Sequence, residues 1–297
     1  MTDPNIRDRA VQLHDAFTHE HRDRRTLLRQ MTALAGSVAA AESLILGIAA
    51  SPAVAAQIDR ADKRLRADRW EGIIAGKPAA AYVVSPIKGA KRRGTVIVIH
   101  ENRGLTAHIE DVARRIALAG FDVAAPDFLG PQGGTPKDED VARTLIGKAD
   151  YDLVIAQGLG FAERYRTRRG GTGKVGMVGF CWGGALVNRL AVAGGPAFAA
   201  GVSYYGPAPA VSEAAKVQTP LLLHYAGKDA RVATTGEPWI AALKAAGKPV
   251  EAFTYADVDH AFNNDTSVER YNKAAADLAW GRTTAFLHQY LDTGVHA

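Results

Sequence analysis

The tightest constraint in this sequence is the hexapeptide Gly179-Phe180-Cys181-Trp182-Gly183-Gly184, set between an apolar strand-like run at 174–178 and a helical pattern at 183–193. A G-x-nucleophile-x-G turn from strand to helix is so sharp that bulky residues two positions either side of its centre would collide, hence Gly179 and Gly183. Such a turn lifts the central side chain clear of a sheet and sets it at a helix N-terminus. There the helix dipole favours a thiolate, and the amide of Trp182 is aimed at an incoming carbonyl oxygen. Cys181 is the single cysteine, so no intramolecular disulfide forms. A solitary cysteine is ordinarily a small buried hydrophobe; the elbow makes this one a candidate nucleophile.

The surrounding pattern predicts an α/β fold. From about residue 65, strand-like runs alternate with helix-like ones. Residues 80–85 read as an early antiparallel strand; 95–100, 122–125, 174–179, 199–204, 220–225 and 250–255 read as buried strands. Helices are expected over 109–119, 139–166, 183–193, 238–246 and 268–291, with a Gly/Pro-rich loop at 128–140. Strands alternating with helices imply a mostly parallel central sheet flanked by helices, with ligands at the carboxyl ends of the strands. A chain of 297 residues, 47% hydrophobic, can bury the core of one such domain, taken as 57–297.

A nucleophilic elbow needs an acid and a histidine downstream, in that order. Asp229 stands just past the strand-like run that begins at Leu221, and His260 lies in the loop after the last expected strand. Each gap leaves room for about one strand–helix unit. His260 would exchange a proton with Cys181, and Asp229 would fix the imidazole tautomer. Asp257 and Asp259 are closer to His260 in sequence but read as turn residues, and His224, inside a strand, reads as a packed residue. No His/Cys/Asp spacing matches a metal site, and neither metal nor other cofactor is expected.

Net charge is +5, and the excess lies outside residues 1–55, where six Arg balance six acids. Short basic runs such as Lys91-Arg92-Arg93 read as solvated loop ends without aromatic interleaving, so nucleic acid is not an expected partner. Residues 1–56 stand apart as an N-terminal extension. Residues 5–20 suggest a short amphipathic helix; then come the pair Arg24-Arg25, an Ala-rich stretch from 31 to 50, Pro52 and the small-x-small site Ala53-Val54-Ala55. This order matches a twin-arginine export signal, which would engage the export machinery and deliver a folded periplasmic enzyme. The other reading is a helical extension that packs on the domain, or mediates association, in a cytoplasmic protein. The apolar stretch is too short and interrupted for a stable membrane span.

Over roughly residues 65–291 the chain resembles the dienelactone hydrolase (carboxymethylenebutenolidase) family of α/β-hydrolases. The resemblance rests on the cysteine elbow, Ser203-Tyr204-Tyr205-Gly206, Gly227-Lys228-Asp229, His260-Ala261-Phe262 and His100-Glu101-Asn102-Arg103-Gly104. It implies a Cys181–His260–Asp229 triad acting on a small lactone or ester. It also implies a carboxylate, Glu101, that helps generate the thiolate, and a second oxyanion amide from Asn102 beside Trp182. The N-terminal extension is similar to one found ahead of some exported members. One departure stands out: the family's best-known members have an arginine shortly after the histidine that binds substrate carboxylate, where this chain has Asn264. Arg103 and Tyr205 complete the expected substrate-binding set. The competing readings are a carboxylesterase or thioesterase of another substrate class, and a non-catalytic binding or redox-sensing protein on the same fold.

Overall fold

The computed structural model describes residues 4–19, 23–48, 57–88, 93–169 and 171–292. Pro52, the Ala53-Val54-Ala55 site and Lys91-Arg92 lie outside them. The core is an eight-stranded sheet. Its strands are β1 (Leu65–Ile74), β2 (Lys77–Pro86), β3 (Thr95–Ile99), β4 (Asp122–Asp127), β5 (Val175–Phe180), β6 (Ala200–Tyr204), β7 (Leu221–Ala226) and β8 (Val250–Tyr255). They lie in the order β1-β2-β4-β3-β5-β6-β7-β8. The hairpin β1–β2 adds antiparallel to β4, and the remaining neighbours pair in parallel.

The β-branched run of β3 is buried along its whole length because helices cover both faces. Val96 and Val98 point to the face closed by α4 (Ala107–Leu118) and α9 (Lys273–Leu291). Ile97 and Ile99 point to the face closed by α6 (Tyr151–Arg166), α7 (Trp182–Ala193) and α8 (Ala230–Ala245). After β3 the chain steps out to β4 and then returns to the other side as β5, so strand order reverses between β3 and β5. A crevice opens at the carboxyl ends of the strands at such a reversal. Glu101 and Cys181 occupy those two ends.

Several element boundaries differ from the sequence expectation. The edge strand β1 has no buried apolar run, since most of its residues are exposed and several charged, as suits a sheet edge. The helix expected over 139–166 is two: α5 (Glu139–Gly147), and α6 restarted by the Asp150 carboxylate, which accepts from the amides of Asp152 and Leu153. Helix α8 starts at Ala230, eight residues ahead of Pro238, because Asp229 caps it and the proline is absorbed in its interior. Residues 259–271 form turns, and α9 begins at Lys273 behind an Asn272 cap.

The N-terminal segment folds into three helices, α1 (Pro4–His19), α2 (Arg24–Ala35) and α3 (Val38–Ile48). The Ala-rich stretch is broken where Gly36 ends α2 in the left-handed conformation (φ 80°), turning the chain by 112° into α3. No single helix among the described residues is long and apolar enough to cross a membrane. Ala10, Val11, Leu27, Met31, Ala41 and Ile48 give the layer a small core of its own. It is tied to the turns of 259–271. Arg7 pairs with Asp259 (2.9 Å) and donates to the Glu269 carbonyl. Arg270 pairs with Asp15 (2.6 Å), and Ser267 Oγ donates to the Ile48 carbonyl (2.6 Å).

Candidate active site

Cys181 joins β5 to α7 with φ 53° and ψ −112°, a backbone conformation rare for a residue with a Cβ. The glycines around it permit the turn. A Cβ on Gly179 would lie 2.1 Å from the Gly183 carbonyl oxygen, and one on Gly183 would lie 2.4 Å from the carbonyl oxygen of Ile99. The elbow is thus wedged against the end of β3, which brings the loop after β3 beside the thiol. Cys181 is only 6% exposed.

His260 and Asp229 meet this thiol from two other loops. Asp229 follows β7, where its Oδ1 accepts from the amide of Val232 and its Oδ2 lies 2.5 Å from His260 Nδ1. The imidazole and Cys181 line the same cavity and interact electrostatically, so the ring stands between thiol and carboxylate. Burial opposes charging the ring. Negative charge on Cys181 and Asp229, with the hydrogen bond to Asp229, outweighs it and raises the His260 pKa to about 10. Burial likewise works to raise the Asp229 pKa, but the nearby His260 charge and hydrogen bond lower it overall.

The loop after β3 is set by His100. Its Nε2 accepts from the Phe128 amide (3.2 Å), so Nδ1 carries the proton and donates to the Glu101 carbonyl (2.7 Å). The ring stacks on Trp182 at 5.3 Å between centroids. Glu101 Oε2 accepts from Asn264 Nδ2 at 2.9 Å, while Asn264 Oδ1 accepts from Thr266. Arg103 forms an ion pair with Glu139 (3.0 Å).

Cys181, His260, Glu101, Asn102, Arg103 and Asn264 all line one small cavity. Tyr205 is not among its lining residues. It is fully buried with φ 40°, its ring 4.9 Å from the His260 ring and 5.6 Å from Phe262, so it packs beneath the histidine. His224 is a core residue held by Thr283 and Tyr255. Of the nearby acids, Asp257 sits in a turn with φ 57°, and Asp259 is committed to Arg7. Among the described residues no group of three or more His, Cys, Asp or Glu is arranged to hold a metal ion.

Sequence reasoning missed five of the twelve residues of the wall. His14 and Thr18 of α1, Ile48 of α3, and Ser267 and Arg270 line the same cavity. His14 is buried, and its Nδ1 lies 2.8 Å from Arg270 Nη2. A guanidinium only donates, so Nδ1 accepts and the neutral ring carries its proton on Nε2. Burial, then the charges of Arg270, Arg103 and Arg143, hold its pKa well below the ordinary histidine value. No local signal marks these positions, because their partners lie at the opposite end of the chain.

The sequence profile of the dienelactone hydrolase family matches residues 79–291. The chain belongs to the dienelactone hydrolase family. It is 30% identical to the "Putative carboxymethylenebutenolidase" of Salmonella typhi over 257 residues, covering 82% of this chain and 94% of that one. The protein of the same name from Methylorubrum extorquens is 30% identical over 296 residues, covering 90% of this chain and 97% of the relative. The crystal structure of "Putative Dienelactone Hydrolase" from Klebsiella pneumoniae superposes with a TM-score of 0.68 and 29% identity, over 76% of this chain and 99% of that one. As a dienelactone hydrolase-like protein, the chain is a carboxylic ester hydrolase by family, with the α/β-hydrolase fold.

Proposed function

We propose that this hydrolase opens a lactone or activated ester by nucleophilic catalysis at Cys181. The observation that carries the reading is the imidazole of His260, bonded to Asp229 at 2.5 Å and lining the same small cavity as Cys181. Cys181 passes its proton to His260 and its Sγ attacks the carbonyl carbon, and the oxyanion is received by the amides of Trp182 and Asn102. The adduct expels the leaving oxygen, which takes a proton from His260, and an acyl-thioester remains on Cys181. His260 then removes a proton from water; the hydroxide attacks the thioester and the thiolate departs.

Glu101 fits the part of a carboxylate that assists proton transfer out of the thiol. Its hydrogen bond from Asn264 comes from a neutral amide, which orients the carboxylate without cancelling its charge. A thiolate leaves more readily than an ordinary alkoxide, so the first adduct goes forward only when the substrate's own leaving group is good. Enol lactones and aryl esters meet that demand; simple amides do not.

A second reading, an esterase of another substrate class, is favoured by Asn264, which offers no positive charge to a substrate carboxylate. Hydrolysis of cis- and trans-dienelactone and of p-nitrophenyl acetate, by wild type and Cys181→Ser, separates the two. Dienelactone turnover lost in the variant supports the lactone reading, and ester turnover alone supports the second. The absence of Cys181-dependent hydrolysis of either overturns both.

For the N-terminal segment, the packing of α1–α3 against residues 259–270 supports a retained extension over a cleaved export signal. Intact mass and cell fractionation test this. A full-length chain in the cytoplasm supports retention, whereas a periplasmic product beginning after Ala55 restores the twin-arginine reading.

A further inference from the structure

The space above Cys181 is too small for the substrates it is proposed to open. Its volume is about 30 Å³, room for only a few water molecules. Three of its wall residues, His14, Thr18 and Arg103, also line a second and much larger space. This is a cleft of about 510 Å³ between the N-terminal helices and the segment Asp138–Arg143, within the ~300–1,000 Å³ usual for small-molecule sites.

The lining of the cleft defines its chemistry. Phe17, Leu27, Leu28, Ile45 and Leu46 give it an apolar wall. Its arginines are matched by acids: Arg103 with Glu139 (3.0 Å), and Arg143 and Arg24 each with Asp140 (3.4 Å). Leu46 is 72% exposed, an unusual posture for a large apolar side chain, and it faces this cleft. A charge-balanced rim with an apolar wall selects a hydrocarbon arm over a second anionic group.

We propose that this cleft holds the apolar arm of the ester whose carbonyl sits at Cys181, with His14, Thr18 and Arg103 forming the throat between the two spaces. The N-terminal helices are then the substrate-selecting layer of the enzyme. The inference rests on the hydrolase reading above and adds the class of substrate: an activated ester with a medium-length hydrocarbon chain. His14 suits the throat because it lines both spaces and its ring, with the proton on Nε2, is a neutral donor that does not hold an ester as a full charge would.

The test is a chain-length series on the full-length protein. One arm uses p-nitrophenyl acetate, butyrate and hexanoate; the other uses phenyl acetates with para-methyl, propyl and pentyl groups, so acyl-side and alcohol-side arms are distinguished. In wild type, kcat/KM rises with chain length in one series. Leu46→Asp, a substitution at an exposed position, lowers that long-to-short ratio about tenfold by placing a charge where methylenes are to lie. A ratio that is flat in both series, or one that Leu46→Asp leaves unchanged, overturns the proposal. No Cys181-dependent turnover of the shortest esters, with none for the longer ones, overturns the hydrolase reading and this proposal with it.

Discussion

Asn264 donates to Glu101 across 163 residues of sequence, Nδ2 to Oε2 at 2.9 Å. The pair joins the loop after β3 to the turns beyond β8 directly beside the thiol. It fixes where the carboxylate points while leaving its charge intact. Glu101→Gln keeps the shape but removes the assisting carboxylate. We expect kcat/KM toward p-nitrophenyl acetate to fall about 10²-fold with an unchanged melting temperature. Unaltered turnover would reduce Glu101 to a structural acceptor.

Asp229→Asn removes the charge that holds the His260 proton on Nδ1. A loss of about 10³–10⁴ in kcat is expected, with KM little changed because Asp229 is not among the residues lining the cavity. Steady-state kinetics beside the circular dichroism spectrum of the variant checks it. A fall in kcat smaller than tenfold would mean that another group orients the ring.

The pH dependence of stability follows from His260, whose pKa rises from 6.5 to about 10 on folding. A group with a raised native pKa stabilises fully below its unfolded value and loses that contribution as pH climbs through its native one. Urea midpoints should therefore fall between pH 6.5 and 10. The fall should shrink in Cys181→Ala, which removes one of the two negative charges responsible. An equally steep decline in that variant would break the link.

Gly183→Ala places a methyl 2.4 Å from the Ile99 carbonyl oxygen and 2.5 Å from that of His100. These are backbone atoms of a central strand and its end, so relief requires moving the sheet or the elbow. Overpacking of this kind costs about 3 kcal/mol, a drop of roughly 5–10 °C in melting temperature. Scanning calorimetry reads it directly, and a stable, active Gly183→Ala would contradict the geometry of the turn.

Arg7 holds the N-terminal layer to Asp259 and to the Glu269 carbonyl. Arg7→Ala should speed alkylation of Cys181 by iodoacetamide about fivefold, since a partly buried ion pair contributes on the order of 1 kcal/mol to keeping the layer closed. Equal alkylation rates in both proteins would show that the reagent reaches the thiol by another route.

What the sequence made legible was whatever local chemistry writes down. Gly179 and Gly183 were readable because their collisions are set by the turn itself, and β3 because five consecutive β-branched residues suit a strand covered on both faces. Asp229 and His260 followed from chain order. The edge strand β1 was hidden by its charged residues, and the start of α8 by Pro238, where a helix boundary was expected. Tyr205 looked like a pocket residue from its position after β6, but the positive φ there turns it under His260 instead. His14 and Arg270 carried no signal at all, because their meaning lies in a contact spanning 256 residues.

That contact also orders events in time. Helices α1–α3 find most of their docking partners in residues 259–270, which leave the ribosome much later than they do. Elements joined over such long separations assemble late. Until the final turns emerge, the nascent chain can build β3, the elbow and its thiol, yet neither the histidine nor the wall that narrows the entrance is in place. A reactive cysteine is thus left without its activating partner throughout synthesis, and both arrive with the same short stretch of polypeptide.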